Sequence, residues 1–130
     1  MLLNVYNRFN VSFVKGKGVY LYDDQGNEYL DFVSGIAVNC LGHAHPVIAN
    51  ALKKQGETLI HISNLYYSDA QTKLVDKLTG LSGHERVFFS NSGTEAIELA
   101  IKIARKYGNN IDKNKTEIIY MKDSFHGRST

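Results

Sequence analysis

The sequence predicts an α/β fold, and three observations carry that prediction. A short apolar run, Val87-Phe88-Phe89, a helical pattern from Glu95 to Tyr107 and a second apolar run, Ile118-Ile119-Tyr120-Met121, follow one another over the length of a crossover unit. Strand, helix, strand in that order predicts a right-handed βαβ step in a mainly parallel sheet. Upstream, two β-prone runs within Gly18–Phe32 flank Asp23-Asp24-Gln25-Gly26-Asn27, a cluster of turn formers that predicts a β-hairpin. With 43% hydrophobic residues in 130, the chain is long enough for one domain with a core.

After the hairpin, Pro46 stands where a first helical turn tolerates a missing N–H, and Ile48, Leu52, Gln55 and Leu59 follow on one face. This predicts a helix from about Pro46 to Leu59. A second helix follows, with Ser68 as its cap, Leu74, Val75 and Leu78 on its buried side, and Gly80 and Gly83 near its stop. The helix from Glu95 to Tyr107 confines its charges to Glu95, Glu98, Lys102, Arg105 and Lys106, so most of its surface is expected to be buried. The weakest boundary lies at Ser63–Ser68, which divides an N-terminal segment, 1–65, from the start of an α/β domain, 66–130.

Composition excludes several classes of function. Charged residues make up 22% of the chain, the formal net charge is +2, and the eleven lysines are scattered, so neither nucleic acid nor an anionic membrane is favoured as partner. Cys40 is the only cysteine, which rules out an internal disulfide framework and fits a reducing compartment. Met1–Asn10 has no basic start followed by an apolar stretch, and no run approaches a membrane span, so the expected location is soluble and cytoplasmic.

The chemistry concentrates where the first strand of the βαβ step meets its helix, in Ser90-Asn91-Ser92-Gly93-Thr94. The first N–H groups of a helix need acceptors, either side chains or a bound anion. Ser92 with Glu95 three residues on matches a capping box. Against that, ligands of open α/β sheets gather beyond the carboxyl ends of the strands, Gly93 leaves room for an oxygen to approach, Thr94 adds a hydroxyl, and the helix dipole favours negative charge. The pattern is neither the lysine-bearing phosphate loop nor the glycine-spaced dinucleotide fingerprint, so these residues alone indicate a capped helix or an anion site.

A second cluster, Asp123-Ser124-Phe125-His126-Gly127-Arg128-Ser129-Thr130, follows the second strand at the same sheet edge. Phe125 can offer a flat apolar face and Arg128 a two-pronged donor for a carboxylate; alternatively Phe125 plugs the core and Arg128 pairs with Asp123. His43 and His45 lack companions in metal-ligand spacing, and a helix start explains His45 as well. Cys40, in an apolar run, reads as a buried filler, and no serine stands in a nucleophile elbow.

Three strings, "GNEYLDFVSGIAVNCLGHAHP", "FFSNSGTEAIELAIKIARKYG" and "SFHGRS", stand in the order and spacing of class III pyridoxal-phosphate-dependent aminotransferases, and this resemblance covers essentially the whole chain. It implies the N-terminal part of the aminotransferase large-domain fold, preceded by a small-domain hairpin and helix. It also implies pyridoxal 5'-phosphate as cofactor, with Ser92, Gly93 and Thr94 around its phosphate, Phe125 stacked on its ring, and Arg128 taking the substrate α-carboxylate. The implied reaction passes an amino group to 2-oxoglutarate. Its implied donor is the δ-amino group of N-acetylornithine, in arginine biosynthesis, with ornithine, succinyl-diaminopimelate or 4-aminobutyrate as alternatives. A non-catalytic phosphate-binding α/β module is the alternative outside the family. Relatives act as homodimers. The chain departs from the family at Ile97, where Asn is usual, and none of its lysines stands in the context of the family's Schiff-base lysine. That lysine and the acid on the ring nitrogen are expected beyond Thr130, which makes this an expected N-terminal fragment, inactive alone.

Overall fold

The structure, a computed structural model, describes residues 2–129. It divides into two compact units, Met1–Tyr66 and Tyr67–Thr130. The architecture is α/β, an antiparallel sheet followed by helices.

In the first unit, β1 (Phe13–Lys17), β2 (Tyr20–Asp23) and β3 (Glu28–Leu30) form an antiparallel sheet in the order β1-β2-β3. The predicted hairpin is β2–β3, with Tyr20 opposite Leu30 and Tyr22 opposite Glu28. Its turn is built around Asp23, whose carboxylate accepts from the Gln25 and Asn27 N–H groups (3.0 and 2.8 Å), the Asn27 amide (2.9 Å) and the Tyr29 hydroxyl (3.0 Å). These bonds, the Asn27 side chain first, hold the Asp23 carboxyl below the usual carboxylate range. β1 was not foreseen; Phe13 closes it edge-on against the Tyr29 ring, centroids 5.2 Å apart.

After β3 comes a single turn, α1 (Ser34–Ala37), with φ of 50°, 64°, 61° and 63° at Ser34, Gly35, Ile36 and Ala37. This is a left-handed turn, and outside glycine such a conformation costs about 1–2 kcal/mol per residue. Asp31 helps to hold it: one carboxylate oxygen accepts from the Val33 and Ser34 N–H groups (2.9 and 2.8 Å), and the other meets His43 Nε2 at 2.6 Å. The His43 backbone is in turn bridged to Gly18. His43 is therefore committed to Asp31, and His45 to helix α2 (Pro46–Gly56), which it caps by accepting from Val47 N–H at 3.3 Å. Helix α2 stops at Gly56, short of Leu59, because Glu57 to Leu59 close back on Lys53 and Gln55 as turns.

In the second unit, α3 (Asp69–Ser82) starts after Ser68 and ends at Gly83, left-handed at φ 72°, whose N–H returns to Thr79 O. Helix α4 (Gly93–Ile111) is longer than predicted at both ends. The flanking runs 87–89 and 118–121 do not form strands: the one sheet among the described residues is β1-β2-β3. A parallel ladder is stable when both faces are covered, and here no apolar side chain among the described residues is buried. The same finding corrects two further expectations. Helix α4 is not sunk in a core, since Ile103 is 59% exposed, and Cys40 is exposed rather than a filler. Among the described residues no helix is long and apolar enough to cross a membrane.

Candidate functional site

The start of α4 follows from its sequence. Ser92 is extended at φ −153°, ψ 160°, and its hydroxyl accepts from Glu95 N–H at 3.3 Å, while Ser90 Oγ donates to Ser92 O at 3.2 Å. Half of the expected capping box is thus present. The other half is displaced by one residue: the Glu95 carboxylate accepts from the Asn91 N–H, with the Asn91 side-chain amide at 3.4 Å, rather than turning to Ser92 as a reciprocal box would. Asn91 backbone first, then its side chain, holds the Glu95 carboxyl below the usual range.

The Gly93 and Thr94 N–H groups meet no acceptor among the described residues. A methyl group built at Gly93 would touch nothing within 4 Å, so the helix start is open on that side. The first turn of α4 therefore offers two aligned donors, a hydroxyl and the positive end of the helix dipole to an oxyanion.

The loop after residue 121 lies against this turn. Gly127, at φ +97°, is pressed onto Thr94 so closely that a Cβ there would stand 2.6 Å from Thr94 Oγ1 and 2.8 Å from its Cβ. Two segments far apart in sequence are thereby joined: the loop that carries Phe125 and Arg128 touches the helix start through Gly127. The loop is shaped by a turn with Asp123 at φ 62°, by the Ser124 hydroxyl donating to Met121 O, and by an edge contact between Tyr120 and His126, centroids 6.0 Å apart. Phe125 is 74% exposed, so it does not plug a core, and Arg128 is also exposed. On another side of the helix start, a cleft of about 280 Å³ runs between 88–91 and Glu95, Glu98, Leu99 and Lys102.

The five predicted residues thus lie on two juxtaposed segments. Gly127 has no role of its own in the sequence reading, although a glycine beside Phe, His and Arg in a loop is a signal of close backbone approach.

A family model described as Aminotransferase class-III matches residues 3–130. Proteins named acetylornithine aminotransferase share 54% identity over 129 residues in Clostridium acetobutylicum and 57% over 128 residues in Nitrosomonas europaea, each alignment covering 98% of this chain. The chain spans 33% of the length of each. Among solved structures, an N-acetylornithine aminotransferase from Stenotrophomonas maltophilia superposes with a TM-score of 0.79 at 40% identity, over 85% of this chain and 30% of that one. An ornithine aminotransferase from Toxoplasma gondii gives 0.81 at 34% identity, over 86% and 26%.

Proposed function

The chain belongs to the class-III aminotransferases, and from that premise we propose that the whole protein transfers the δ-amino group of N-acetylornithine to 2-oxoglutarate with pyridoxal phosphate as its cofactor. The observation that supports the reading is the seating of Gly127 on Thr94, which puts the loop carrying Phe125 and Arg128 in contact with the start of α4. When bound, the cofactor supplies the electron sink that an amino-group exchange requires.

The residues present fit that group. Open N–H donors at Gly93 and Thr94, with the Thr94 hydroxyl, suit a phosphate; Ser92 fixes the turn through its bond to Glu95 N–H. Phe125 provides a flat face for an aromatic ring, and Arg128 a planar fork for an α-carboxylate. In the same reading, 1–65 is a small-domain segment with its connection, and 66–130 begins the cofactor domain. Homodimeric assembly in the cytoplasm belongs to the proposal as well.

The donor rests on the names of the relatives, and the similarity to ornithine aminotransferase structures favours ornithine as the second candidate. Steady-state kinetics of the full-length protein distinguish them. The expected result is a kcat/KM for N-acetylornithine above those for ornithine, succinyl-diaminopimelate and 4-aminobutyrate; a higher value for any of these reassigns the donor.

A further inference from the structure

We propose that Glu95 is a positioning residue for the anion pocket: its carboxylate takes up the Asn91 N–H, fixes the turn leading into α4 and leaves the Gly93 and Thr94 N–H groups as the donors for a phosphate. The inference rests on the phosphate reading of those two residues. A carboxylate in the first turn of a helix is favoured by the dipole, yet it repels a phosphate placed at the same N–H groups. Bonding reconciles the two demands. Both Glu95 oxygens are turned to Asn91, one to its N–H and the other toward its side-chain amide at 3.4 Å. Glu95 lines the cleft formed with Phe88, Ser90 and Glu98, whereas Thr94, about 100° round the helix, meets Gly127.

The bond has a second effect. Asn91 immediately precedes the cap, so tying its N–H to a residue one turn into the helix makes Asn91, Ser92 and Glu95 one closed ring of contacts, completed by Ser92 Oγ accepting from Glu95 N–H. The direction of the Gly93 and Thr94 N–H groups is set by that ring. Position, rather than charge, is what Glu95 contributes, because its charge is spent on Asn91.

Substitutions separate position from charge. Glu95→Gln keeps the length and an acceptor oxygen but loses the charge; Glu95→Asp keeps the charge but falls one methylene short; Glu95→Ala loses both. The dissociation constant of pyridoxal phosphate, measured by fluorescence titration of the full-length protein, is the readout, with phosphate-free pyridoxal as control. Losing one hydrogen bond's worth of orientation predicts a weakening of about tenfold for Asp and Ala, Gln within about threefold of wild type, and little change for pyridoxal. Wild-type affinity in all three variants overturns the proposal, as does an Asp variant that binds normally while Gln does not. Gly93→Val guards the underlying reading: if it leaves pyridoxal phosphate binding intact, the phosphate site itself is misplaced; if it abolishes binding while the Glu95 variants are silent, only the role of Glu95 falls.

Discussion

Replacing Gly127 by alanine tests the contact on which the site depends. The residue sits at φ +97°, outside the left-handed region where side-chain-bearing residues are tolerated, and its Cβ would lie 2.6 Å from Thr94 Oγ1 and 2.8 Å from Thr94 Cβ, with Cγ2 closer still. Backbone strain of about 1–3 kcal/mol and overpacking of about 1–3 kcal/mol both act against the native position. Together they amount to about 2–6 kcal/mol if the loop stays in place. It need not stay, because Phe125 and its neighbours are exposed and the loop can lift from α4 at lower cost. The expected outcome is therefore local: faster amide hydrogen exchange across 123–129, retained helix content, and a dissociation constant for pyridoxal phosphate raised by about tenfold or more, one power of ten per 1.4 kcal/mol. Adding Thr94→Gly removes the clash and leaves the backbone strain, so the double variant should recover part of the loss in loop protection. Unchanged exchange and cofactor affinity within twofold of wild type for Gly127→Ala would show that the Gly127–Thr94 contact does not hold the loop in place.

Three further outcomes are expected. Ser92→Ala should destabilise the second unit by about 0.5–1 kcal/mol in thermal unfolding, at the low end for a cap because the Ser92 Oγ contact to Glu95 N–H is a long 3.3 Å; no shift would mean that the hydroxyl does not cap α4. The Asp23 and Asp31 carboxyls are held low by Asn27 and His43 respectively, so their contribution is fully present above the unfolded value of about 3.9 and is lost as pH falls through the depressed folded values. The Asn27 amide resonance should accordingly move only at a pH below that at which an unstructured peptide of the same residues titrates; a midpoint at or above the peptide's contradicts the turn. Arg128→Lys should raise KM for the amino donor by about tenfold with a smaller change in kcat, since a point charge replaces a fork; an unchanged KM removes the carboxylate role.

Much of the architecture was legible because it is local. The hairpin at 23–27, the Pro46 start, the Gly83 stop and the Ser92 cap each depend on residues within a few positions of one another, and each forms. The runs 87–89 and 118–121 failed as strands for the opposite reason: a ladder requires partners that periodicity does not supply, and the described residues provide none. The left-handed turn at Ser34–Ala37 had only Gly35 to announce it; its first residue, Ser34, is held by Asp31, whose second partner, His43, is twelve residues away, and Ile36 and Ala37 bond back to Val33 O.

By themselves the residues showed that a helix starts close after a Ser92 cap and that a loop carrying Phe125 and Arg128 follows, leaving open whether the helix start is capped or takes an anion, because caps, dipoles and side-chain chemistry act over a few ångströms along one stretch of chain. That Gly127 lies on Thr94 came from the folded chain alone, and that Glu95 turns to Asn91 rather than to Ser92 came from its geometry. The first depends on how the backbone returns to the helix start from about thirty residues away, which spacing in sequence does not fix; the second depends on which of two nearby donors a flexible carboxylate reaches, and a capping-box pattern is compatible with either.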